Sequence, residues 1–156
     1  MAVVQVLVGS VYGGALLTAK AIRDQSGSGK HQFVVHETPD LSALTTTEGP
    51  VLVCTSTTGQ GEVPENLLNF YIQLRDQLPM QQGRPFGIIV LGDSSYGDTF
   101  CGAGALMEEA FYEVAAHKVG ETLCIDAMET TEPESLALPW VEEWLDQVSQ
   151  ETLQAG

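Results

Sequence analysis

Val3-Val4-Gln5-Val6-Leu7-Val8 runs into Gly9-Ser10-Val11-Tyr12-Gly13-Gly14-Ala15 and on into a helix-like segment ending near Arg23. An apolar strand that breaks at glycines and resumes as a helix leaves the N–H groups of the first helical turn unpaired and aimed into one small volume. That volume suits a phosphate. No Lys or Arg lies between Met1 and Lys20, so hydroxyls, amides and the helix dipole would have to neutralise a dianion here. A nucleoside triphosphate site places a lysine and a metal-binding Ser or Thr at fixed offsets after such glycines. Neither is present, and a single phosphate monoester is the better match.

Working outward, apolar runs recur at Val3–Val8, Gln32–His36, Val51–Cys54, Phe86–Leu91 and Val119–Ile125. Helical spacing falls between them and after the last, in Ala15, Ala19 and Ile22, in Leu67, Phe70, Tyr71, Leu74 and Leu78, in Met107, Ala110, Phe111 and Val114, and in Val141, Trp144, Leu145 and Val148. Residues Thr38 to Pro50 read as an irregular crossover with one helical turn near Leu41 to Leu44. Near-continuous apolar strands alternating with amphipathic helices imply parallel strands covered on both faces. The prediction is an α/β domain, a doubly wound five-stranded parallel sheet of order 2-1-3-4-5 with helices on both faces. There is no linker, repeat or low-complexity tract, so residues 1–156 are expected to form a single domain.

In such sheets ligands sit beyond the carboxyl ends of the strands, where the winding direction reverses. Order 2-1-3-4-5 puts that point beside the first strand, so the loops after strands 1, 3 and 4 should line one crevice. The second of these is Thr55-Ser56-Thr57-Thr58-Gly59-Gln60-Gly61-Glu62, and the third runs from Gly92-Asp93-Ser94-Ser95-Tyr96 to Phe100-Cys101-Gly102. Together they carry small hydroxyls, glycines and two aromatics, without a metal cluster or an activated nucleophile. Gly and Ser allow close backbone approach to a flat ligand, and Tyr96 and Phe100 offer a ring face or wall. A planar heterocycle bearing one phosphate fits them.

The charge balance is 6 Lys plus Arg against 21 Asp plus Glu, a net −15. Such a surface repels nucleic acid and anionic membranes and steers toward basic proteins in a salt-dependent way. Cys54, Cys101 and Cys124 form no CxxC pair and no metal spacing with His31, His36 or His117. An odd number of cysteines, two of them in apolar runs, reads as reduced thiols in a cytoplasmic protein, with Cys101 a small spacer. The N-terminus shows neither an export signal nor a membrane span. Trp140 and Trp144 read as packing residues of the last helix, and the histidines as surface or packing residues.

The combination of Ser10-x-Tyr12-Gly13-Gly14-Ala15, Ser56-Thr57-Thr58-Gly59 and Gly92-Asp93-Ser94-Ser95-Tyr96 through Phe100-Cys101-Gly102 resembles the flavodoxin family over nearly the whole chain. It looks most like the short-chain bacterial members of the MioC and YqcA type. The resemblance implies FMN as cofactor, with Ser10, Val11, Tyr12, Gly13, Gly14 and Ala15 holding its 5′-phosphate. It also implies that Ser56, Thr57, Thr58, Gly59, Gln60 and Gly61 flank the isoalloxazine ring, with Gly59–Gln60 a peptide able to turn its carbonyl toward it. Tyr96 would stack on the outer face, and backbone around Gly92, Asp93, Ser94, Phe100 and Cys101 would bound the ring and meet its pyrimidine edge. No side chain is catalytic and no metal is needed, because the flavin takes and gives the electrons. Two departures stand out. Tyr12 and Ala15 occupy positions where the family usually has Thr, and Thr58 stands where a bulky apolar residue often covers the inner ring face.

The function so implied is a monomeric one-electron carrier that takes electrons from a basic NAD(P)H-dependent flavoprotein reductase and passes them to an acceptor enzyme. Alternatives on the same fold are a flavin-dependent NAD(P)H or quinone reductase and an interaction module that has lost its flavin. A signalling receiver is disfavoured, since the first strand ends in Gly9-Ser10 and not in an acidic cluster able to hold Mg²⁺.

Overall fold

The structure is a computed structural model. It describes residues 3–10, 13–26, 31–57, 62–92, 101–126, 129–130 and 132–155, with side chains described as far as 151. The elements are β1 (Val3–Gly9), α1 (Gly14–Gln25), β2 (Gln32–His36), α2 (Ser42–Thr45), β3 (Val51–Ser56), α3 (Glu65–Gln77), β4 (Pro85–Gly92), α4 (Gly102–Glu113), β5 (His117–Lys118), β6 (Leu123–Asp126) and α5 (Glu134–Ala155). All pairings are parallel, and the order is β2-β1-β3-β4-β5 with β6 also on β4.

Both faces of the central strands are buried, which is why they read as unbroken apolar runs. Val51 and Val53 of β3, with Phe86, Ile88 and Val90 of β4, point to one face and meet Leu67, Phe70 and Leu74 of α3 and Met107, Ala110 and Phe111 of α4. Leu52, Cys54 and Ile89 point to the other, against Ala15, Ala19 and Ile22 of α1 and Val141, Trp144 and Leu145 of α5. On the first face the Phe86 and Phe111 rings stack with centroids 4.8 Å apart. Emptying such a position by truncation to Ala costs about 3 to 5 kcal/mol.

The fifth strand departs from expectation. Of the run Val119–Ile125 only Leu123–Ile125 is strand, in β6, which pairs with Ile89 to Gly92; β5 lies just before the run on Pro85 and Phe86, and the chain leaves the sheet between the two through Gly120, whose φ is +73°. The cause lies on the neighbouring strand. A Cβ at Gly87 would stand 2.4 Å from Trp144 Nε1 and 3.0 Å from Trp140, so the missing side chain lets the α5 indoles press against β4 where the fifth strand breaks. Trp144 is fully buried there and stacked on Trp140 at 6.1 Å, as packing residues of the last helix.

The last helix also begins earlier than its apolar pattern, at Glu134, because Ala137 N–H donates to Pro133 O and so forms a turn ahead of Pro139. Among the described residues no helix is long and apolar enough to cross a membrane.

Candidate functional site

The registers Gly9 to Thr55, Ser56 to Leu91 and Gly92 to Asp126 bring the carboxyl ends of β1, β3 and β4 level along one edge. A side chain at Gly9 would collide with Thr55 Oγ1 at 2.3 Å and Leu67 Cδ2 at 2.9 Å, so only glycine ends β1 this close to β3 and α3. Gly13 follows at φ +91°, the left-handed conformation that turns the chain into α1. Its N–H donates to Ser10 Oγ at 2.8 Å. The first α1 bond runs from Leu17 N–H to Gly13 O at 2.9 Å, so the N–H groups of Gly14, Ala15 and Leu16 have no carbonyl one turn back. The α1 start faces the crevice side of β4, with the Gly14 Cβ position 3.6 Å from Leu91 Cδ2.

Sequence reasoning overlooked Asn66. Its side chain, in the first turn of α3, accepts from Ser10 N–H at 2.8 Å and donates to Val8 O at 2.9 Å and Glu37 O at 2.8 Å. One amide therefore ties the end of β1 to the segment after β2. The available signal was a polar residue able to bond in both directions, just after Pro64, at the start of a predicted helix.

At the end of β3, Ser56 remains in the strand and Thr57 N–H donates to Leu91 O at 3.0 Å. The Thr57 hydroxyl is buried and meets no hydrogen-bond partner among the described residues. Gly92 closes β4, and Cys101 caps α4 with φ +59°. The structure thus gathers Ser10, Gly13, Gly14, Ala15, Ser56, Thr57, Gly92 and Cys101 at the carboxyl side of the sheet. Val11, Tyr12, Thr58, Gly59, Gln60, Gly61, Asp93, Ser94, Tyr96 and Phe100 lie outside the described residues.

The cysteine expectation needs correction. Cys101 and Cys124 are joined by a disulfide, with Cα atoms 6.2 Å apart, so Cys101 is more than a spacer and only Cys54 is free. Folding causes the pairing: β6 lies against β4 with Cys124 opposite Val90, while Cys101 Sγ, at the start of α4, stands 3.9 Å from Val90 O. Cys54 is different in kind. Burial pushes its thiol up to about 12, and it donates to Ala15 O at 3.4 Å beneath α1.

Four of the described cations are committed away from these loops. Arg23 pairs with Asp24, Arg75 lies over Tyr71, Lys118 pairs with Glu108, and Arg84 is committed to the opposite end of the sheet. Among the described residues no group of His, Cys, Asp and Glu is arranged to hold a metal ion. Among the described residues the site offers neutral donors for an anion, small side chains for a flat group, and no base or nucleophile poised for chemistry.

The sequence pattern of the flavodoxin family matches residues 6–140. The chain is 41% identical over 149 residues to Flavodoxin YqcA of Pectobacterium carotovorum subsp. carotovorum, covering 95% of this chain and 98% of that protein. It is 34% identical over 146 residues to Protein MioC of Escherichia coli O157:H7, covering 94% and 98%. A solved structure of a mutant flavodoxin from Pseudomonas aeruginosa superposes with a TM-score of 0.88 at 40% identity, covering 94% of this chain and 99% of that one. These likenesses do not favour the reductase or flavin-free alternatives. The chain belongs to the flavodoxin family, small flavoproteins that take electrons from reductases and pass them to acceptor enzymes.

Proposed function

We propose that this chain binds one FMN at the carboxyl ends of β1, β3 and β4 and works in the cytoplasm as a diffusible single-electron carrier. Its partners in this reading are a basic NAD(P)H-dependent flavoprotein reductase and an acceptor enzyme. The observation that carries the reading is a matched pair of unused polar groups at one edge. Among the described residues the first-turn N–H groups of α1 have no carbonyl one turn back, and the buried Thr57 hydroxyl has no hydrogen-bond partner.

Ser10, Gly13, Gly14 and Ala15, with Val11 and Tyr12, hold the phosphate. Ser56 and Thr57, with Thr58, Gly59, Gln60 and Gly61, flank the ring. Gly92 and Cys101, with Asp93, Ser94, Tyr96 and Phe100, bound its far side. When bound, FMN supplies the group that accepts and releases electrons. The chain's own work is to bind, orient and set the electrostatic environment. A net charge of −15, with Arg23, Arg75, Arg84 and Lys118 engaged elsewhere, makes added negative charge at this site costly, which lowers the potential at which it is accepted.

The test compares FMN with riboflavin on the purified apoprotein, followed by quenching of flavin fluorescence. Binding of FMN at least tenfold tighter than riboflavin is expected if the α1 turn holds the phosphate. Equal affinities would defeat that assignment. Addition of NADPH without a reductase should leave the bound flavin oxidised, and rapid bleaching would instead make the protein a reductase. Electron delivery by a basic reductase should weaken as salt rises.

A further inference from the structure

The electron-carrier reading makes no use of the Cys101–Cys124 bridge. Its two sulfurs have unequal surroundings. Cys124 is exposed in β6, at the edge of the sheet. Cys101 is half-buried and stands at the N-cap of α4, a 12-residue helix. A thiolate at such a position is stabilised by the positive end of the helix. In thiol–disulfide exchange the accessible sulfur is attacked and the better-stabilised thiolate leaves. Both preferences select the same direction here, attack at Cys124 and departure of Cys101.

We propose that Cys101–Cys124 is a reversible thiol–disulfide site, a two-electron couple built into this chain besides its flavin function, that exchanges with low-molecular-weight thiols. A thiolate RS⁻ attacks Cys124 Sγ. The R–S–Sγ bond forms as the bond between the two cysteine sulfurs breaks, and the electron pair leaves on Cys101 Sγ. A second RS⁻ then attacks the R sulfur of the mixed disulfide, releasing RSSR and the Cys124 thiolate. With protons taken up from water, two RSH become RSSR and the protein gains two electrons and two protons. Oxidation is the reverse, with RSSR as oxidant. Closing the bridge ties β6 to the start of α4 across the end of β4, and opening it frees both. Cys54 takes no part, being wholly buried with its thiol pushed up to about 12. The proposal requires no bound FMN.

The experiment equilibrates the purified protein with glutathione at graded ratios of reduced to oxidised form. Samples are quenched in acid, unfolded, and their free thiols counted. Expected are one thiol, that of Cys54, at the oxidising extreme and three at the reducing extreme, joined by a single two-electron transition. Peptide mapping of early samples should find glutathione on Cys124. Cys124→Ser should show two free thiols at the reducing extreme and never close an internal bridge. Three thiols at every ratio would mean that no bridge forms. One thiol persisting in excess reduced glutathione would mean a permanent structural link. Glutathione mapped first to Cys101 would reverse the direction of attack. Each of these three results overturns the proposal.

Discussion

At the amino end of the sheet, Arg84 donates hydrogen bonds to Gly49 O at 2.7 Å, Leu44 O at 2.8 Å, Gln81 Oε1 at 2.9 Å and Thr47 Oγ1 at 2.7 Å. At the carboxyl end, the neutral Asn66 amide satisfies two carbonyls and one N–H, while among the described residues the first-turn N–H groups of α1 have no carbonyl one turn back and the Thr57 hydroxyl has no partner. The first arrangement is closed. Turns there present surplus carbonyls, one half-buried cation takes them up, and burial draws its guanidinium below the ordinary arginine value against the pull of Glu48. Among the described residues the second is open, with donors in surplus and no cation committed to it, which is the arrangement a ligand can complete. The difference separates what holds the fold from what awaits a ligand, although both ends look like polar loops in the sequence.

The largest effect should come from breaking the closed end. Arg84→Met keeps the apolar stem but strips the donors from two main-chain carbonyls, the Gln81 amide oxygen and a hydroxyl, and should cost about 3 kcal/mol. For a chain of this size that lowers the thermal midpoint by roughly 10 °C. FMN affinity should not change. A parallel loss of affinity in the folded variant would mean that the two ends are not independent.

Next in size is Asn66→Ala, which removes three hydrogen bonds at once. A loss of about 2 kcal/mol in stability is expected. Because Ser10 loses its anchor, a drop of about tenfold in FMN affinity should accompany it. Urea unfolding of the apoprotein and flavin titration read the two separately. Unchanged affinity would reduce Asn66 to a purely structural tie.

How far these ends could be read in the sequence follows from the range of the interactions. β1, β3 and β4 were legible because burial on both faces leaves no polar residue to interrupt them, and the glycine turn after β1 because Gly9 and Gly13 are demanded by close approach and by a left-handed φ. The α3 and α4 faces were legible as apolar spacing. The break in the fifth strand was not, since it depends on Gly87 admitting Trp144 from a helix far along the chain. Asn66 was missed because its three partners belong to β1 and the segment after β2. The cysteine pair was missed for the same reason: 23 residues separate Cys101 from Cys124, and only the seating of β6 beside β4 joins them.

Thr57→Val sharpens the contrast by reversing a sign. Its hydroxyl is buried and unpartnered among the described residues, so removing it should leave apoprotein stability unchanged or raise it by about 1 kcal/mol. FMN affinity should fall about fivefold if the hydroxyl meets the ligand. Opposite movement of stability and affinity is the signature of a ligand group, whereas Asn66→Ala moves both down. A stability loss in Thr57→Val with affinity intact would show that the hydroxyl serves the fold.

The smallest effect concerns pH, and it belongs to the carboxyl end alone, because Arg84 stays charged throughout the accessible range. His36, at the end of β2, donates through Nε2–H to Gln5 Oε1 at 2.6 Å. Burial pulls its imidazole below the ordinary value of 6.5, outweighing the attraction of Asp40. The folded form therefore resists a proton that the unfolded chain accepts. Above 6.5 neither state is protonated and stability is unaffected. As pH falls through 6.5 the unfolded chain takes up its proton first and stability declines, until the folded imidazole is protonated as well and the loss stops growing. In His36→Gln this part of the decline should vanish while carboxylate titration at lower pH persists, as followed by urea midpoints between pH 8 and 5. A parent profile that rises on acidification through this window would mean that Asp40, not burial, governs the ring.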